Sequence, residues 1–127
     1  MNAKKYLQQA ARLDEEIDRK MAELARLHAL SLSAPPGPAG SPAVKKLLRL
    51  AGEVSREIDE LVDRKEEIRR AIDAVPDPEE REVLRCRYLD GMMFNQIAAE
   101  MHLGKRTVCR RHSRAMQSIA RLLEKKS

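Results

Sequence analysis

Aromatic side chains are almost missing from this 127-residue sequence: Tyr6, Tyr88 and Phe94 are the full set, and Trp is absent. A core must then be assembled from Leu, Ile, Val, Ala and Met, and because these do not alternate with polar residues in a period of two, helices are expected rather than strands. Long apolar runs are missing too. Lys4 and Lys5 are followed within a few residues by Arg12, Asp14, Glu15 and Glu16, so neither a signal peptide nor a transmembrane span is expected. The two cysteines, Cys86 and Cys109, lie far apart beside arginines. That pattern does not describe a disulfide framework; it fits a reducing, cytoplasmic compartment. Cys109 and His112 have a Cys-x-x-His spacing, and Cys86 and His102 could extend the set, but no paired Cys-x-x-Cys or His-x-x-x-His element accompanies them. Glycine-rich phosphate loops, nucleophile elbows and inward carboxylate pairs are likewise missing, so an enzyme, a metal and a cofactor are all unexpected.

What is present is charge and helical periodicity. Apolar residues make up 43% and charged residues 35% of the chain, with a formal net charge of +5, the balance of a helical globular protein rather than a disordered one. Residues 1–76 hold 14 Lys or Arg against 13 Asp or Glu, a net of +1, whereas residues 77–127 hold 11 against 7, a net of +4. From Met101 onward eight basic residues face one acid, Glu124. The basic surface is therefore concentrated near the end of the sequence.

Three breaks divide the chain. In residues 31–42, four prolines, two glycines and three serines forbid a helix, after which Ser41 can cap and Pro42 can open a new one. Val75-Pro76-Asp77-Pro78 is the second, with Asp77 and Glu80 in the spacing of a capping box. At Leu89-Asp90-Gly91 a helix should stop, with Gly91 free to turn left-handed.

Between the breaks the apolar residues fall on a 3-4 spacing. Positions 44, 47, 51, 54, 58, 61, 65, 68, 72 and 75 are apolar except for Lys65, and Tyr6, Ala10, Leu13, Ile17, Lys20, Leu24 and Leu27 repeat the pattern upstream, with Leu7 and Met21 widening it. Such seams predict an antiparallel helical hairpin of coiled-coil character over residues 1–75, roughly 50 Å long at about 1.5 Å per residue. Leu48, Leu50, Val62 and Ala71 flank the second seam and are expected to stay exposed in an isolated hairpin, which favours a homodimer or higher oligomer.

Residues 76–127 are expected to form a separate domain. From Phe94 to Val108 the sequence reads as two short helices around a tight turn, the layout of a helix-turn-helix. Ile97, Met101, Leu103 and Val108 can form the core that fixes the angle between them, and Ala98 is small enough to permit close approach. Met92, Met93, Met101 and Met116 are read as packing residues, and Tyr88 and Phe94 as staples around the turn. Lys105, Arg106, Cys109, Arg110, Ser113 and Arg114 are left on the outer side of the second helix, where basic groups suit phosphates and base edges.

Residues 78–123 resemble region 4 of the bacterial sigma-70 family. Glu80-Arg81-Glu82-Val83-Leu84-Arg85-Cys86-Arg87-Tyr88-Leu89-Asp90-Gly91, then Ile97-Ala98, Thr107-Val108 and Arg114-Ala115-Met116 follow that module's helices in order. A helical hairpin ahead of such a module, with Lys4-Lys5-Tyr6-Leu7 and Leu13-Asp14-Glu15-Glu16-Ile17 near its start, is similar to small phage and prophage regulators of the ArpU type. The resemblance implies a sequence-specific regulator of transcription, phage or prophage encoded, that binds double-stranded DNA and contacts RNA polymerase. It implies Lys105, Arg106 and Thr107 at phosphates and the groove entrance, Cys109, Arg110 and Ser113 at bases, and Asn95 and Gln96 at the duplex backbone. Four positions depart from the family pattern: Met93 for a capping Ser or Thr, His102 for Gly in the turn, Gly104 for a Ser cap, and Arg111 for an apolar residue. Two alternatives stand beside this reading: a DNA-packaging protein like a phage small terminase, and a structural coiled-coil adaptor that binds no DNA.

Overall fold

The computed structural model describes residues 2–33 and 41–126, and of Lys126 only the backbone. The Pro- and Gly-rich stretch expected as the hairpin's loop therefore lies largely outside the described residues. The fold is all-α: α1 is Ala3–Leu32, α2 Pro42–Asp73, α3 Pro78–Leu84 with a continuation over Arg85–Leu89, α4 Phe94–Met101 and α5 Lys105–Lys126. Among the described residues there is no strand, and no helix is long and apolar enough to cross a membrane. Helices α1 and α2 form the long N-terminal hairpin.

The second and third breaks, and the helix start after the first, behave as their chemistry dictates. Ser41 Oγ accepts the Val44 amide at 3.3 Å, so α2 opens on a side-chain cap with Pro42 at its first position. Asp77 Oδ1 accepts the amides of Glu79 and Glu80 at 2.9 and 3.0 Å, and Pro78 follows in the first turn. At the other end Gly91 has φ +70°, and a Cβ there would meet nothing within 4 Å, so glycine is required by backbone conformation alone.

Packing does not divide the chain at the Pro76 break. It groups Leu13–Arg64 into one compact unit and Met1–Arg12 with Lys65–Ser127 into another. The boundary expected at residues 75–76 is thus a break in helix but not in the core, because Val75 is fully buried and Arg81 donates to its carbonyl at 3.3 Å. Arg85 makes a further tie across the break, 2.8 Å from Asp73.

Within Leu13–Arg64, Leu13, Ala51, Val54 and Leu61 are buried, and the rest of both seams in this unit is at least half-buried. Lys20, the polar residue in the first seam, pairs across the hairpin with Glu57. A pair this exposed adds little stability but restricts the register in which the helices can align. Leu48 and Val62 are 54% and 46% exposed, as the flanking pattern anticipates, whereas Leu50 is half-buried.

In the larger unit Ala3, Leu7 and Ala10 of α1, Ile68, Ala71 and Ile72 of α2, then Val75, Leu84, Ala115 and Ile119 are buried. Ala71, expected to be exposed in an isolated hairpin, is buried here and belongs to this unit. Burying each large aliphatic side chain is worth about 1.5 to 3 kcal/mol. This core therefore takes in the chain's first turns as well as its last helices.

Candidate nucleic-acid interface

The inter-helix geometry of residues 78–126 is fixed by a small core of Val83, Cys86, Ile97, Ala98 and Val108, against which Met92, Phe94, Met101 and Leu103 pack. All five residues expected to set the helix-turn-helix angle belong to it. Helix α4 ends at His102, which has φ 56° and ψ 41°, and Leu103 donates to the Ala98 carbonyl at 2.9 Å to close the turn. A left-handed histidine is a strained but tolerable occupant of a position that favours glycine. Gly104 then precedes α5, with its carbonyl accepting Val108 N–H at 3.1 Å and open space where a Cβ would stand.

Burying Val108 turns the opposite side of α5 outward. Lys105, Arg106, Cys109, Arg110, Ser113 and Arg114 are all exposed, and Arg106, Cys109, Arg110, Ser113 and Arg114 line one shallow open depression. Thr107 is half-buried at its edge, 3.4 Å from Arg110 Nη2, which donates to its hydroxyl. No acidic residue interrupts this face until Glu124. Cys109 is exposed on it, whereas Cys86 is buried, its thiol pKa pushed up to about 11 by burial and by the neighbouring Glu82 carboxylate.

Asn95 and Gln96 are exposed in the first turn of α4. Gln96 is partly committed: its Oε1 accepts the Met93 amide at 2.8 Å, which leaves its NH2 group as the outward donor. Met93 is the helix-capping residue, in extended backbone with no side-chain cap of its own. At 61% exposure it is not the packing residue expected of it, since the chain reverses just before α4 and turns this side chain to solvent.

Several side chains that hold the interface in place carry no sequence motif. Arg111 Nε donates to Glu79 Oε2 at 2.9 Å, tying α5 to the first turn of α3; this explains how a half-buried arginine occupies an apolar position. The helix after Leu84 widens into a π-type turn over Arg85–Leu89, seen in Asp90 N–H donating to Arg85 O at 3.0 Å. From this turn Arg87 lies over the Phe94 ring at 4.9 Å and donates to the Met92 carbonyl at 3.0 Å. Tyr88 presents its hydroxyl 2.8 Å from His112 Nε2, and the His112 ring also meets Phe94 edge-on at 5.1 Å. Burial first, then the charges of Arg87 and Lys4, push the His112 pKa down, so the ring is held neutral. The neutral ring can accept from Tyr88. Tyr88 and Phe94 are thus staples as expected, but the residue they staple is His112, which spacing had grouped with a zinc set. Among the described residues no cluster of His, Cys, Asp or Glu could hold a metal ion.

The candidate interface is therefore an exposed basic helix face backed by a buried apolar core and several polar ties. No curated protein and no solved structure matches the chain. Residues 77–121, from the Asp77 cap through most of α5, match the family model of Sigma-70, region 4, a DNA-binding helix-turn-helix domain.

Proposed function

We propose that this protein is a sequence-specific, duplex-DNA-binding regulator of transcription that inserts the first half of α5 into the major groove. The observation that carries the reading is the uninterrupted basic and polar face of α5 on a helix-turn-helix whose angle is set by a buried core. Arg110 has the reach to pair with a guanine edge, beside Cys109 and Ser113, and Arg106 stands at the groove entrance. Lys105, Thr107 and Arg114 hold phosphates, and Asn95 with the Gln96 NH2 group holds the backbone of the facing strand. A sigma-like module also presents a surface to RNA polymerase. The hairpin ahead of it, with Leu48 and Val62 open to solvent, forms a homodimer or higher oligomer, so light scattering on the full chain should report a dimer or larger. Similarity of this layout to ArpU-type regulators supports a phage or prophage setting.

The test is selection of duplexes bound by the full chain from a random pool, followed by titration of the selected site. The Arg110→Ala variant should lose about 1 to 3 kcal/mol of discrimination at one base pair while retaining its binding to unrelated duplex. Equal affinity and equal specificity of wild type and an Arg106→Ala/Arg110→Ala double variant at low salt would remove α5 from the groove. Occupancy across the host genome then separates a regulator, found at promoters, from a packaging protein, found at one packaging site.

A further inference from the structure

The flank of α5 that faces α3 carries a small recess of its own. Thr107, Arg110, Arg111 and Arg114 line it, and it encloses about 80 Å³. At about 30 Å³ per liquid water that is space for two or three waters, or for a group the size of one phosphate. Three guanidinium groups and a hydroxyl make up the lining, with no carboxylate among them. The Thr107 hydroxyl accepts from Arg110 Nη2 at 3.4 Å, which leaves its own proton to be donated to an anion.

The recess has a definite place beside the groove-facing surface. On α5 the buried Val108, Ala115 and Ile119 mark the back of the helix, and at about 100° per residue Arg111 falls to one side of them and His112 to the other. The His112 side meets the ring of Phe94, the first residue of α4, at 5.1 Å, whereas the Arg111 side meets Glu79 in the first turn of α3 at 2.9 Å. Arg110 and Arg114 line both the recess and the shallow depression of the exposed basic face, so the recess borders that face on the α3 side. A helix with its side chains, about 10 to 12 Å across, nearly fills a major groove about 12 Å wide, so a sugar-phosphate wall stands against this flank.

Arg111 is the member of the recess that is already paired. Among the described residues Arg110 and Arg114 make no ion pair, while Arg111 is held by Glu79, with side chains 31% and 48% exposed. A pair this open to water is weak. A phosphate is a stronger partner, because guanidinium binds it through charge-assisted, bidentate bonds and each neutralised phosphate releases counterions from the duplex. We infer that Arg111 is a gated phosphate contact: on DNA it exchanges Glu79 for a backbone phosphate seated in the recess with Thr107 and Arg114, and in the free chain Glu79 competes for it and holds affinity down. The inference rests on the reading of α5 as the groove-inserted helix. A phosphate carries no sequence information, so the gate acts on every duplex alike.

The experiment titrates the full chain with a selected duplex and with a scrambled one over a series of salt concentrations. Compared are the wild type, Glu79→Gln, Arg111→Gln, the double variant, and Arg111→Lys. Glu79→Gln should bind both duplexes more tightly by the same factor, about 1.4- to 5-fold, the range an exposed ion pair can hold back. Arg111→Gln should bind both more weakly and lower the slope of log affinity against log salt by about 1, while Arg111→Lys, which keeps the charge, should retain the slope. The gain from Glu79→Gln should shrink once Arg111 is replaced by Gln. An equal gain in both backgrounds would mean that Glu79 acts by general repulsion, and it overturns the gate, as does the absence of any gain. An unchanged slope in Arg111→Gln removes Arg111 from the phosphates while leaving α5 as the reader. If the wild type shows no salt-dependent binding to any duplex, the groove-inserted helix fails and the gate fails with it. Far-ultraviolet circular dichroism checks the fold of each variant; should Arg111→Gln lose its helical signal, Arg111→Met takes its place, since it keeps the apolar stem without the charge.

Discussion

The two compact units are built by different rules although α1 and α2 run through both. In Leu13–Arg64 a repeating seam does the work: apolar residues three and four apart meet, one Lys20–Glu57 pair crosses the hairpin, and the remaining surface is mixed charge. In the unit that contains α3, α4 and α5, two short helices pack on one long one, and several junctions carry a named polar tie. Asp77 caps α3, Arg81 and Arg85 bridge the Pro76 break, Arg111 reaches Glu79, and Arg87 holds the turn before α4. A repeat tolerates replacement at many positions because its neighbours supply the same contact. Short elements without a repeat do not, since each contact is made once.

The largest expected effect follows from that contrast. Ile97 is fully buried between α4 and the core of the helix-turn-helix, so Ile97→Ala should cost about 2 to 5 kcal/mol in chemical denaturation of the full chain. Met21→Ala removes a side chain of similar size from the hairpin, where it is largely exposed, and should stay within about 0.5 kcal/mol. Comparable losses at the two positions would mean that the hairpin face around Met21 is covered, and the contrast between the units would dissolve.

Smaller in size is the effect of completing the cap on α4. Met93 holds the capping position with extended backbone, its side chain in solvent, while only Gln96 contributes to the cap. Met93→Ser should place a hydroxyl where the amide of Gln96 can donate to it, adding about 0.5 to 2 kcal/mol. The loss of the Sδ contact with Arg87, at 3.7 Å, offsets a minor part of this. A lower denaturation midpoint for the serine variant would show that Met93 packs in solution and that the turn before α4 differs from the one described.

The same contrast explains what could be foreseen from the residues. The seam positions, the caps at Ser41 and Asp77, the left-handed Gly91 and the core of Ile97, Ala98, Met101, Leu103 and Val108 all follow from local rules of periodicity and backbone conformation. The exposed stripe of α5 follows as well, because burying Val108 fixes the direction of everything else on that helix. Other features do not follow from those local rules. Ala71 is buried and the first turns of α1 join the C-terminal unit because of packing that no spacing within either segment records. The Arg111–Glu79 and Tyr88–His112 contacts join residues on different helices, and the π-type turn at Arg85–Leu89 that aims Arg87 and Tyr88 breaks the very periodicity used to place side chains. Arg111, at a position where the family pattern has an apolar residue, was the available signal.

The smallest expected effect tests one of those long-range contacts through its pH dependence. His112 has its pKa lowered in the fold by burial, with Arg87 and Lys4 adding to the effect, whereas in the unfolded chain it returns to about 6.5. Between the lowered folded value and about 6.5 the unfolded chain binds more protons, so stability rises with pH through that window. The contribution of the neutral ring is fully present above about pH 6.5 and is lost as the pH falls toward the folded value. Protonation would also turn Nε2 from an acceptor into a donor facing the Tyr88 hydroxyl and bring a third positive charge beside Arg87 and Lys4. Thermal melts of the full chain from pH 7.5 to 5.5 should therefore show a fall in midpoint that is reduced in His112→Gln, an amide that keeps an acceptor near Tyr88 but does not titrate. Identical pH profiles for the two proteins would mean that the His112 ring is already open to water, and that the ties around Tyr88 and Phe94 do not set this unit apart from the hairpin.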